Sequence, residues 1–166
     1  MAEEDAIQAA FKLARRSRLV YVTTNGPDGC PNTRVMFNLL KTRARAIAKG
    51  PASLPDGFDS WLGTNTSSSK TREARRDPCA CLYYASPSTW EGLTLTGKLE
   101  EVMDREIKAA LWMRGWDMYY AGGLDGGDFT TFHFHAERGR YYHNLRVVAF
   151  DAAQTLQGLP VMNAPA

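Results

Sequence analysis

LVYVTTNGPDGCPNTRVMFNLL, residues 19–40, reads as two β-runs folded back on one another. Leu19-Val20-Tyr21-Val22-Thr23-Thr24 is dense in β-branched and aromatic residues, which suit a pleated, half-buried surface. Asn25-Gly26-Pro27-Asp28-Gly29 then places turn formers in an unbroken row. Thr33 to Leu40 is the return strand, so an antiparallel hairpin is predicted here. Moving outward, Phe58–Thr64, Cys79–Ala85 and Trp90–Val102 have the same strand character. Thr130–Ala136 and Arg140–Phe150 follow, expected as a hairpin around Glu137-Arg138-Gly139. Gly97-Lys98, in the middle of the longest run, suggests a bend or bulge. Six or seven antiparallel strands joined by hairpins argue for a barrel or sandwich rather than a doubly wound sheet.

Helices are fewer. Residues 3 to 16 put Ile7, Ala10, Phe11 and Ala14 on one side, an amphipathic pattern. Ser67-Ser68-Ser69-Lys70 opens a second helix that runs to about Arg76. A serine caps it, Glu73 is placed near its first turn, and Asp77-Pro78 stops it. Asp104 caps a third, with Ile107, Leu111 and Trp112 as its apolar stripe. Residues 41–57 read as a long loop and 115–128 as a structured one. Residues 1–150 are taken as a single domain and 151–166 as a tail.

With 166 residues the chain suits one domain with a real core. A net charge of +2 is too small to argue for nucleic acid or an anionic membrane, so neither is expected as a partner. Cys30, Cys79 and Cys81 make no disulfide framework and read as free, buried thiols. The N-terminus lacks the apolar core of a signal peptide, and no apolar run reaches the roughly 20 residues that span a bilayer. A cytoplasmic location is expected.

Thr64-Asn65-Thr66-Ser67-Ser68-Ser69-Lys70 carries the strongest chemical signal. It joins a strand end, a hydroxyl-rich turn, a helix start and an ammonium, a donor set that suits a phosphate. A serine-rich cap beside an exposed lysine is the plainer reading and stays open. Arg34, inside an otherwise apolar strand, either aims its fork at an anion or faces outward in the alternation.

These stretches resemble a family. Pro31-x-x-Arg34-x-Met36 is similar to the P-x-x-R-x-M strand of the pyridoxamine 5'-phosphate oxidase-like split barrels that bind FMN. Thr64 with Ser69-Lys70 and Ala74-Arg75-Arg76-Asp77-Pro78 resembles that family's helix-opening stretch. Gly97-Lys98-Leu99-Glu100-Glu101-Val102-Met103-Asp104 resembles its G-x-A-x-x-V-x-D passage, with Leu99 in place of alanine. Trp112 falls where the following helix often carries tryptophan. The general stress protein branch is the nearest likeness.

The resemblance implies a mainly β split barrel, a homodimer, and FMN at the interface. FAD or a deazaflavin are lesser alternatives. Arg34 and Lys70 would bind the FMN phosphate, aided by Thr64 and Ser69. Backbone from Val35, Met36 and Phe37 and from Leu62, Gly63 and Thr64 would line the ring. Phe37, Trp61, Trp112, Trp116 and Phe132 are candidate apolar cover. The implied activity is flavin-dependent oxidoreduction of a small molecule, or flavin binding without turnover, as a stress or sensor protein. The true oxidase carries a late Arg-x-His pattern, whereas Asp151 to Gln157 holds no such residues, so oxidation of pyridoxamine phosphate is not expected.

A metal- or haem-binding barrel using His133 and His135 is the alternative of another class. His133-Phe134-His135 puts two imidazoles on one strand face, and His143 lies further along. No acidic residue is legible to complete a ligand set, so no metal site is expected. No G-x-S-x-G elbow or P-loop is present.

Overall fold

The predicted hairpin forms: Leu19–Asn25 (β1) pairs with Pro31–Phe37 (β2), with Val22 opposite Arg34. Gly29 turns the chain at φ 81, a conformation that side-chain-bearing residues rarely adopt. The computed structural model describes residues 3–39 and 57–153. The remaining elements are α1 (Glu3–Arg16), β3 (Ser60–Asn65), α2 (Ser69–Arg76), β4 (Cys79–Ser86), β5 (Glu91–Val102), α3 (Arg105–Leu111), a short 3-10 turn (Trp116–Met118), β6 (Phe129–His143) and β7 (Arg146–Asp151). The long loop expected at 41–57 lies outside the described residues except for Gly57, as does the tail beyond residue 153.

All strands join one antiparallel sheet in the order β2-β1-β4-β5-β6-β3, with β7 on the far part of β6. The two ends, β2 and β3, approach within 8 Å without hydrogen-bonding to each other. The sheet is therefore a barrel with an open seam, as the mainly β split-barrel reading expects. Its interior is filled by alternate strand residues, among them Val20, Val22, Leu82, Tyr84, Leu93, Leu95, Phe132 and Phe134. The predicted amphipathic helix α1 adds Ile7, Ala10, Leu13 and Ala14 to this core. Acidic residues at its start and arginines at its end favour its dipole. A second apolar cluster lies on the opposite face of β3 and β6, where Leu111, Trp116 and Tyr120 cover Trp61 and Phe129.

The bulge expected near Gly97 is present: the β5–β6 register shifts between Thr96 and Gly97. The final hairpin is a correction. Glu137-Arg138-Gly139 is not a turn; it lies inside β6, which continues to His143. Gly139 suits that strand because the Phe150 ring of β7 lies over it, where a Cβ would come within 2.2 Å of the ring. The chain reverses instead at Asn144 and Leu145, with φ of 49 and 59, the positive pair of a two-residue hairpin turn. The cysteines are free but not buried: Cys30 and Cys79 are exposed and Cys81 is partly so. Ala80, Leu82 and Tyr84 take the inner face of β4, which leaves Cys79 and Cys81 on the outer one.

Candidate functional site

The serine-rich stretch folds as expected. β3 ends at Asn65, Ser68 caps α2 by accepting from the Thr71 amide, and Asp77 closes the helix before Pro78. Several hydroxyls are consumed locally. Ser68 donates to the Asn65 carbonyl at 2.7 Å, as does Thr71 at 2.8 Å, and Thr66 shares a 2.7 Å bond with Thr130. Thr64 is buried, with its hydroxyl 3.4 Å from that of Ser68. Ser69 is exposed, and neither its hydroxyl nor the backbone amides of Ser69 and Lys70 are bonded among the described residues. These are the unsatisfied donors that begin any helix.

Lys70 is half-buried and forms no ion pair among the described residues. Its pKa is lowered, first by desolvation and then by the charge of Arg34, against an opposing pull from Glu73. Arg34 and Lys70, brought from separate segments, thus act on one another. Arg34 does not face outward. Its side chain points to the interior at 22% exposure, where Nη2 donates to Glu73 Oε2 at 2.8 Å and Nη1 donates to the Thr24 hydroxyl. Asn32 donates to Glu73 Oε1 at 2.8 Å and Thr24 to Oε2. Burial pushes the Glu73 carboxyl up, but the bonds from Thr24, Arg34 and Asn32 outweigh it and hold the pKa below its ordinary value.

Glu73 is the residue that sequence reading misplaced. It stands past the first turn of α2, buried, as the counter-ion of Arg34. The two cations therefore do not face an anion with their full charge, because Glu73 offsets one of them. A Glu three residues beyond the candidate lysine was the only available hint of this.

The remaining candidates divide between the two sides of the seam. Val35 and Phe37 are exposed at 53% and 50%, while Met36 packs on the core. Leu62 points inward and is buried, and Gly63 lies under the Trp116 and Phe129 rings, 3.3 and 3.1 Å from where a Cβ would stand. Among the described residues, β2 pairs only with β1, and β3 only with β6. Each thus turns one unpaired backbone edge toward the seam. Of the aromatic candidates, Trp61, Trp116 and Phe132 are buried and Trp112 partly so, which leaves Phe37 as the accessible one.

The histidines form a second cluster, on the outer face of β6. His133 Nε2 lies 3.2 Å and His135 Nδ1 3.4 Å from Asp59 Oδ2. His135 Nε2 meets Glu100 Oε2 at 2.7 Å. The acidic partner that sequence reading did not find is Asp59, just before β3, remote in sequence but adjacent across the β3–β6 register. His143 is at the far end of β6, eight residues from His135 and on the order of 26 Å away along a strand. None of the described helices is long and apolar enough to cross a membrane.

The family model described as pyridoxamine 5'-phosphate oxidase matches residues 4–143. A protein related to general stress protein 26 of B. subtilis, from Clostridium acetobutylicum, is 32% identical with a TM-score of 0.72, covering 93% of this chain and 99% of that one. A pyridoxamine 5'-phosphate oxidase-related, FMN binding protein from Nostoc punctiforme has a TM-score of 0.55 at 16% identity, covering 87% of this chain and 86% of that one. A heme binding protein from Mycobacterium smegmatis has a TM-score of 0.65 at 17% identity, covering 93% of this chain and 60% of that one. No curated protein matches.

Proposed function

Because this chain belongs to the pyridoxamine 5'-phosphate oxidase family, we propose that it is a flavin-binding protein that holds FMN along the β2–β3 seam of a homodimer. The observation that carries the reading is Lys70: an ammonium with no counter-ion among the described residues, at the start of a helix whose first amides are open, within electrostatic reach of Arg34. That donor set fits a phosphate monoester, which carries about −1.5 to −2 charge at neutral pH. Lys70, the amides of Ser69 and Lys70, and the Ser69 hydroxyl would hold the phosphate. Arg34, kept in place by Glu73 and Thr24, would add its charge. The free backbone edges at Val35–Phe37 and Leu62–Thr64 would meet the polar rim of the ring.

Five apolar residues support the homodimer: Leu19, Tyr21, Val35, Phe37 and Tyr83 are all more than 40% exposed on the outer face of β2, β1 and β4. Across the strands, Leu19 stands opposite Phe37, and Tyr21 opposite both Val35 and Tyr83, so they form one patch. A second copy seated there would shield a ring at the seam.

The flavin, when bound, supplies reversible two-electron chemistry, and the chain supplies binding, orientation and exclusion of water. The function proposed is flavin-dependent oxidoreduction of a small molecule in the cytoplasm. The test is a fluorescence titration with FMN, run beside FAD, a deazaflavin and haemin. FMN should bind at one equivalent per chain. Lys70→Ala should weaken it by about tenfold to 150-fold, about 1.5–3 kcal/mol for a charge-assisted bond. An unchanged affinity in that variant, or preference for haemin, overturns the reading.

A further inference from the structure

The second cluster carries an inference that does not rest on flavin binding. We propose that Asp59, His133 and His135 form a binding site for one divalent transition-metal ion of the zinc class, with Glu100 as its supporting carboxylate.

The geometry argues for it in three steps. Asp59 is oriented by its far oxygen: the Ala136 amide donates to Oδ1 at 2.8 Å, leaving Oδ2 to face both imidazoles. The 3.2 and 3.4 Å separations from Oδ2 to the two ring nitrogens are long for charge-assisted hydrogen bonds, which run about 2.7–2.9 Å. Both are close to the ligand–ligand edge of a tetrahedral zinc site, about 3.3 Å for bonds of about 2.0–2.1 Å, and all three ligand atoms lie within 4.8 Å of one another.

Next, the His133 Nε2 atom is buried and makes no aligned hydrogen bond, although Asp59 Oδ2 stands 3.2 Å away. A buried nitrogen in that state has lost water without a full hydrogen bond in return. An ion at the common focus of the three groups would restore it. The Trp61 ring, stacked on His133 at 4.3 Å, limits how the imidazole can turn to find another partner.

Last, His135 is braced as a metal ligand usually is. Its Nε2 is bound to Glu100, which fixes the tautomer and presents Nδ1 to the focus. Two imidazoles and one carboxylate with a fourth position open make the ligand set of a site that binds a water or small anion rather than a closed structural site.

The measurement is Zn2+ and Co2+ binding to the full chain after exhaustive chelator treatment, by calorimetry and by the visible absorption of Co2+. One equivalent of either ion should bind, and Co2+ should quench Trp61 fluorescence through the stacked ring. Asp59→Asn should lower the affinity at least tenfold. Glu100→Gln, at a carboxylate that is 68% exposed, should lower it by about 10–100-fold. Cys79→Ser removes an exposed thiol elsewhere and should leave binding unchanged. No stoichiometric binding, binding untouched in both Asp59→Asn and Glu100→Gln, or binding lost with Cys79 would overturn the proposal. Retained FMN affinity in the Glu100→Gln variant keeps the two sites experimentally separate.

Discussion

Arg34 and Glu73 bind each other in a half-dry pocket, and that one pair sets the behaviour of both segments it joins. Glu73 is 5% exposed and accepts from three side chains. Removing it leaves a guanidinium without its counter-ion, so Glu73→Ala should cost about 3–5 kcal/mol in urea unfolding. The pair also sets a pH dependence. The folded carboxyl titrates below its ordinary 4.5, so folding favours the ionised form. That contribution is complete above 4.5 and is lost as pH falls through the lower folded value. The wild type should therefore lose more stability between neutral pH and the acid range than Glu73→Gln does, and equal losses would refute this assignment. Sequence legibility ends at just this scale. Lys70 and Arg34 could be picked out because a cation beside a helix start, or inside an apolar strand, is out of place. Glu73 and Asp59 could not, because a single acidic residue on a helix or at a strand end is ordinary until the fold brings its partners to it.

Elements were more legible than residues wherever backbone chemistry dictates them. The β1–β2 turn, the Ser68 and Asp104 caps, and the bulge at Gly97 follow from rules about which side chains tolerate which dihedrals. Gly97 can be tested directly. A Cβ there would come within 1.9 Å of the His135 carbonyl oxygen, so Gly97→Ala must open the β5–β6 ladder at the bulge. A loss of about 1–3 kcal/mol is expected, or about 2–4 °C in melting temperature per kcal/mol. The final hairpin was misread because its turn breaks the usual preference. Leu145 holds φ 59 and is 90% exposed, a place where glycine would be the ordinary choice. Gly139 meanwhile looks like a turn residue and is in fact a strand position chosen for Phe150. Leu145→Gly should therefore raise the melting temperature slightly, or at least leave it unchanged. A clear drop would show that the Leu145 side chain has a contact that matters.

The described strands form one sheet rolled until its two edge strands, β2 and β3, nearly meet, and the apolar patch on its outside is the corollary of that roll. Tyr21→Asp, in the middle of the patch, should convert a dimer to a monomer in light scattering, and FMN affinity should fall with it. A wild-type chain that runs as a monomer at all concentrations would remove the interface from the proposal. The order of the strands has a further consequence, for the birth of the protein. Among the described strands β3 pairs only with β6, and β6 follows it by more than 60 residues. At about 5–20 residues per second, synthesis leaves β3 alone for roughly 3–13 s. Throughout that interval Trp61 and Leu62 lack the strand they pair with, so a nascent chain stalled before residue 129 is the form most exposed to aggregation and most in need of a chaperone.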